Sequence, residues 1–209
     1  MTAMKPGSTT ARWQRWLGGV LRRLRHVGIQ TELFLVVREG QRATAILQSD
    51  GELACGFLTS EDVPALVALE PGTDPEKCRA WFAEGKMCFG ARQDNKLVAK
   101  MWCDLESFNY PPCFRRLARD EAYLFAAYAD PHARGRNIAP IMRERCYVAL
   151  RAMGRQRFYS YTDFFNVPAR RFKAKLGAVD ESLKMHVLLF GRWSATWTLR
   201  RYVRSLQRN

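Results

Sequence analysis

Twelve residues near the middle of the chain, Tyr128-Ala-Asp-Pro-His-Ala-Arg-Gly-Arg-Asn-Ile-Ala139, leave it few ways to fold. Before them, residues 121–129 are aromatic and small, the composition of a strand. After them, residues 138–153 carry apolar side chains at helical spacing and stop at Gly154. A strand therefore ends, Pro131 turns the chain, and a loop rich in arginine and glycine opens straight into a helix. The first N–H groups of a helix lack intrahelical partners and carry partial positive charge, so they can hold a pyrophosphate. Ala139 permits close approach, and Arg134 and Arg136 add side-chain charge. Asn137 suits either the helix N-cap or a left-handed backbone. Pro140 fits a first helical turn, where its missing N–H is no loss.

The rest of the chain mixes strands and helices. Residues 32–38, 43–48 and 53–58 read as short strands. Thr59-Ser60-Glu61-Asp62 offers a hydroxyl or carboxylate to cap a helix carrying Val63, Leu66, Val67 and Leu69. Pro71, Gly72 and Pro75 precede a second helix over 76–84. Residues 87–92 and 96–104, around the polar Gln93-Asp94-Asn95, read as a hairpin. An irregular loop or short helix is expected over 106–119. Beyond the central helix come a strand over 157–162, a short helix over 168–175 and a last strand over 184–190. The fold class is α/β or α+β, and 209 residues suffice for one domain with a sizeable core.

Arg134-Gly135-Arg136-Asn137-Ile138-Ala139 resembles the R/Q-x-x-G-x-G/A signature of the GNAT superfamily of acyl-CoA-dependent N-acyltransferases. It matches at the arginine and the last alanine and departs at Asn137, where the family usually has glycine. About 30 residues on, the run from Asn166 through Ala169, Phe172 and Lys173 to Gly177 is similar to the family's closing N-x-x-A/S…F/Y-x-K-x-G-F segment. The resemblance covers roughly residues 53–190. It implies a splayed, mostly antiparallel sheet with helices on both faces, over a domain at 51–190. An N-terminal extension (1–50) and a C-terminal tail (191–209), both basic, would flank it.

The implied reaction moves an acyl group, most simply acetyl, from acyl-CoA to a primary amine, with no metal. An acyl carrier protein or a longer acyl-CoA is an alternative donor, and a lipid or sugar precursor an alternative acceptor. Residues Arg134, Gly135, Arg136, Asn137, Ile138 and Ala139 would hold the pyrophosphate. Ala127, Tyr128 and Ala129 would pair with the pantetheine arm, with an oxyanion donor near Ala127 or Tyr128. Asn166 and Phe172 complete the cofactor side. Where many members have an acidic tyrosine, this chain has Lys173. Glu121, with Tyr123 on the same strand face, is the candidate base. Asp104, Glu106 and Asp163 are further carboxylates for the acceptor pocket, walled by Phe108, Tyr110 and Phe114. His132 reads as a loop residue and His186 as a strand residue without chemistry.

The net charge is +14, and its placement matters more than its size. Residues 1–30 hold six basic side chains and no acid, and residues 191–209 hold five and no acid. The body between them is close to neutral. Within residues 12–27, Trp13, Trp16, Leu17, Val20, Leu21, Leu24 and Val27 form one helical stripe. Ala195, Leu199, Tyr202, Val203 and Leu206 form another, beside Trp193 and Trp197. Two readings stand for such ends: packing on the core, or contact with an anionic membrane or an acidic acyl carrier protein. A nucleic-acid module is disfavoured, since the body shows no such motif; a non-catalytic acyl-CoA sensor is a further alternative. No apolar run reaches the roughly 20 residues of a membrane span. The six cysteines are scattered without a CxxC pair. A cytoplasmic protein, peripheral on the inner membrane surface in the second reading, is expected.

Overall fold

The computed structural model describes residues 28–40, 53–110, 112–133 and 135–202. The expected helix over 12–27, the strand over 43–48, Arg134, Val203 and Leu206 lie outside them. The chain divides into two compact units. The larger comprises Val37–Tyr161 and Arg171–Val179; the smaller comprises Met1–Val36, Thr162–Arg170 and Asp180–Asn209.

In the larger unit the strands are β2 (Ala54–Leu58), β3 (Met87–Gln93), β4 (Lys96–Asp104), β7 (Glu121–Ala129) and β8 (Arg157–Asp163), which begins there. They neighbour one another in the order β8-β7-β4-β3-β2, antiparallel throughout except for β7 and β8. Asp94 and Asn95 both take positive φ, and so close the β3–β4 hairpin in two residues as aspartate and asparagine readily do. The helices are α1 (Val63–Leu69), α2 (Pro75–Ala83) and α3 (Ile138–Ala152). Asp74 caps α2 by accepting from the N–H groups of Glu76 and Lys77, with Pro75 in the first turn.

Strand alternation sorts the core into two layers. Phe89, Met101, Cys103, Ala122, Leu124 and Phe158 meet Ile138, Ile141, Met142, Cys146, Tyr147 and Leu150 of α3. On the other face, Cys88 and Trp102 meet Val63, Leu66, Leu69 and Cys78, with Trp81, Phe82 and Phe125 packed beside them. Helices thus cover both faces of a mostly antiparallel sheet. All six cysteines are free thiols.

In the smaller unit, β1 (Ile29–Glu39, entering the larger unit at Val37) neighbours β9 (Val179–Leu189), which pairs antiparallel with β10 (Trp193–Arg201). Helix α4 (Val167–Lys175) begins here and ends in the larger unit. Two expectations are corrected. The last strand is not at 184–190: β9 starts earlier, and a further strand follows it. The apolar spacing of 195–206 reads as helical, yet Trp193, Ala195 and Trp197 alternate at period two, and pairing with β9 makes that period the operative one. Over 106–119 the expected irregular loop forms, with no helix among its described residues and with β5 (Ser107–Phe108) and β6 (Arg115–Arg116) paired across it.

Candidate active site

The parallel ladder between β7 and β8 is short. Glu121 pairs with Arg157, Ala122 with Phe158 and Tyr123 with Tyr159, and there it ends, although both strands continue. From Leu124 onward the edge of β7 turned from β4 has no strand partner among the described residues of the larger unit, so its N–H and C=O groups can meet an extended ligand. On its other edge β7 bulges. Lys100 pairs with Tyr128 but Trp102 with Phe125, leaving Ala126 and Ala127 opposite Met101 alone. Ala126 sits at φ 45°, a left-handed conformation that costs a residue with a Cβ about 1–2 kcal/mol. Ala126 and Ala127 are exposed, Tyr128 and Ala129 half-buried. Strain of this kind gathers where backbone groups must be re-aimed.

The strand leads directly into the turn. Asp130 accepts from the His132 N–H at 2.9 Å and its carbonyl accepts from Ala133 at 2.9 Å, which folds residues 131–133 into a tight turn. His132 is exposed in that turn, as a loop residue should be. Gly135 (φ 82°) and Asn137 (φ 57°) both take left-handed backbone. Asn137 holds the N-cap position without a side-chain cap bond, so its conformation rather than its amide matters there. Where left- and right-handed residues alternate, successive N–H groups can turn toward one concavity, an anion nest. Among the described residues, and apart from its chain neighbours, nothing lies within 4 Å of where a Gly135 Cβ would stand. Arg136 is exposed, Ala139 half-buried and Ile138 anchored in the core. These residues fit a diphosphate.

The proton-transfer candidates are engaged by other groups. Glu121 is buried; its carboxylate accepts from Arg115 at 2.6 Å and from the Ala118 N–H at 3.0 Å, and pairs with Arg157 at 3.1 Å. Burial raises its pKa, but these contacts outweigh burial and hold it below the usual carboxylate range. Such a carboxylate is a weak base. Tyr123 is buried between Phe108 and Phe125, and burial, with Tyr161 and Asp104 nearby, pushes its pKa up. Lys173 is buried too. Its Nζ donates to Ser160 Oγ and to the Tyr161 carbonyl, both at 2.7 Å, and lies 3.7 Å from Glu39.

Glu39 is the centre of a network that sequence reasoning missed. It is fully buried, accepts two bonds from Arg143 at 2.8 Å each, and accepts from the hydroxyls of Tyr147 and Ser160. Burial alone would raise its pKa; the charges of Arg143 and Lys173 and the hydrogen bonds win, and the carboxyl stays far below its ordinary value. The signal was available: Arg143 stands within the apolar face of α3, one turn from Tyr147.

The loop over 106–119 lies on the opposite face of β7 and β8. Phe108 packs on Tyr123 at 4.3 Å between centroids, and Tyr110 stacks on Tyr161 at 3.7 Å. Phe114 is exposed. Asp104 is spent on the loop itself, accepting from the N–H groups of Glu106 and Ser107 at 2.8 Å. Glu106 is exposed. In the smaller unit, Asn166 caps α4 through the Ala169 N–H and Asp163 accepts from Phe165; Phe172, half-buried, belongs to the larger unit.

The sequence profile of the acetyltransferase (GNAT) family matches residues 56–178, more than half of the chain. The chain belongs to the GNAT family. Among solved structures this member is similar to a GNAT-family acetyltransferase from Novosphingobium aromaticivorans, 20% identical, over 77% of this chain and 66% of that one, with a TM-score of 0.54. It is also similar to a GNAT-family acetyltransferase from Colwellia psychrerythraea, 14% identical, over 90% and 75%, at 0.55. A functionally unknown conserved protein from Staphylococcus epidermidis is 11% identical over 82% and 66%, at 0.57. This GNAT chain thus spans just under two thirds of the length of the first and third of these. At such identities the likeness is one of fold. No curated protein matches the sequence.

Proposed function

We propose that this GNAT protein transfers an acyl group, most simply acetyl, from acyl-coenzyme A to a primary amine. One continuous feature carries the reading: a strand that opens after Tyr123, bulges at Ala126 and runs into the nest at Gly135 and Asn137. The donor's diphosphate lies on the backbone N–H groups of residues 135–139, with Arg134 and Arg136 adding charge. Its pantetheine amides pair with the open edge at Ala127, Tyr128 and Ala129, and Phe172 closes the cofactor side.

An alkylammonium has a pKa near 10, so the acceptor must lose a proton before its nitrogen attacks the thioester carbon. Charge then develops on the carbonyl oxygen, where an N–H from the bulge at Ala127 or Tyr128 stabilises it. As the C–S bond breaks the thiolate needs a proton, and the Lys173 ammonium is the donor in the family's tyrosine position. Glu121 takes the amine's proton only if Arg115 yields its hydrogen bond. The acceptor is an amine of unassigned class, a lipid or sugar precursor among the alternatives, and an acyl carrier protein is an alternative donor.

The test is release of free thiol from acetyl-CoA and longer acyl-CoAs across a panel of amines, alongside calorimetry with coenzyme A. Amine-dependent release is expected, with coenzyme binding lost in Ala139→Trp. Binding that survives Ala139→Trp would remove the cradle assignment. A second reading, an acyl-CoA sensor without catalysis, is favoured by the engagement of Lys173 with Ser160, Tyr161 and Glu39. Tight binding with no thiol release for any amine would select it.

A further inference from the structure

The β9–β10 hairpin of the smaller unit wears its apolar face outward. Residues directly opposite in antiparallel strands share a face. Leu189 with Trp193, Val187 with Ala195, and Met185 with Trp197 make one face; Leu188 with Ser194, His186 with Thr196, and Lys184 with Thr198 make the other. The second face binds itself, His186 Nδ1 to Thr196 Oγ1 at 2.9 Å and Lys184 Nζ to Thr198 Oγ1 at 3.2 Å. On the first face Trp193 is 73% exposed and Trp197 49%. Phe190 at the turn is 71% exposed, and Leu199 and Tyr202 are exposed beyond Trp197, where the register shifts and Arg200 comes opposite Leu183. Single exposed apolar residues are ordinary; two exposed tryptophans on one apolar face call for a partner.

Its charge identifies the partner. No aspartate or glutamate follows Glu181, while Lys184, Arg192, Arg200, Arg201, Arg204 and Arg208 all do. A second copy would bring the same cations against one another, since a twofold interface must be complementary to itself. An anionic bilayer surface meets both requirements. Tryptophan rings settle at the headgroup level, and arginine stems lie along apolar surface while their heads reach phosphate. A second observation concurs. Gly28, where the described chain begins, accepts from the Phe190 N–H at 2.7 Å, and a Cβ on Gly28 would meet the Phe190 ring at 2.7 Å. The sequence before Gly28, outside the described residues, carries Trp13, Trp16 and six basic residues without an acid, the same composition as the hairpin.

We propose that the β9–β10 hairpin docks this protein on a membrane surface of anionic phospholipid, through Phe190, Trp193, Trp197 and Leu199 with Arg192, Arg200 and Arg201 around them. The attachment is peripheral: among the described residues no helix is long and apolar enough to cross a membrane. It does not depend on the acyl-transfer reading.

Flotation of the full-length protein tests it, with vesicles of phosphatidylcholine alone or mixed with phosphatidylglycerol. The protein is expected to float only with phosphatidylglycerol, and to sink as added salt shortens the screening length. Each basic side chain at an anionic surface changes partition by about fivefold, so Arg200→Glu with Arg201→Glu should cost well beyond tenfold. Trp193→Ser with Trp197→Ser should release the protein as well. If that pair fails to fold by circular dichroism, Arg192→Glu in the exposed turn replaces it, with the same loss expected. The proposal is overturned if wild type stays down with phosphatidylglycerol, or if the folded variants float as well as wild type. It is also overturned if sedimentation velocity finds a dimer that Trp193→Ser dissociates, since the face is then covered by a second copy.

Discussion

Glu39, Arg143, Tyr147, Ser160 and Lys173 form a closed group in which two cations and two hydroxyls surround one carboxylate. Removing one member of a buried pair strands the other, at about 3–5 kcal/mol. Glu39→Gln is therefore expected to lower stability by that order in urea denaturation. The pH dependence has a definite sign. Folding depresses the Glu39 pKa, so its contribution is complete above the unfolded value of about 4.3 and declines as pH falls below it. Wild type should lose stability progressively on acidification from about pH 5, and Glu39→Gln should flatten that loss. Lys173→Ala separates anchor from acid: a fall in kcat of about a hundredfold with acetyl-CoA affinity kept is expected of a proton donor. Unchanged turnover would leave Lys173 as part of the scaffold. For Glu121, held by Arg115 and Arg157, Glu121→Gln is expected to destabilise the loop over 106–119 and to lower kcat while sparing acetyl-CoA affinity. An unaltered kcat would assign it to anchoring alone.

At the scale of elements, β7 does two things at once. Its first three residues are knitted to β8, and its remainder bulges and opens. Ala126 bears the strain of that change. Glycine there would shed a left-handed penalty of about 1–2 kcal/mol and add about 0.5–1 kcal/mol of unfolded-state entropy. Ala126→Gly should thus raise the thermal midpoint slightly, while a β-branched Ala126→Val should lower it; the reverse order in calorimetry would show that the bulge is unstrained. The hairpin of β9 and β10 illustrates a different conflict. The same tryptophans, alanine and leucine can be fitted to a helix or to a strand, and the pairing with β9 decides between them.

For the molecule as a whole, ligand binding to the folded state alone must raise stability by mass action. Acetyl-CoA at a hundred times its dissociation constant should add about 2.7 kcal/mol, read as an upward shift in melting temperature. Ala139→Trp should abolish that shift without lowering the melting temperature of the free protein by more than a degree or so, because the Ala139 side chain is only half-buried at a helix start. A shift that persists in the variant would move the donor away from α3. The two layers of core, α3 on one face and α1 with α2 on the other, hold the sheet that presents this turn.

Local rules made much of this chain readable from its residues. The boundaries of β4, β7 and α1 follow from apolar periodicity, the β3–β4 turn from Asp94 and Asn95, and the turn that opens α3 from Gly135, Asn137 and the helix behind them, because each signal lies within a few consecutive residues. What joins distant residues was not readable. Glu39 meets Arg143 across 104 positions, Ala126 becomes a bulge only by its register with Met101, and Glu121 is neutralised by arginines before and after it. A carboxylate's basicity and a strand's face depend on what the fold brings near, and burial and pairing energies are set only when those partners arrive.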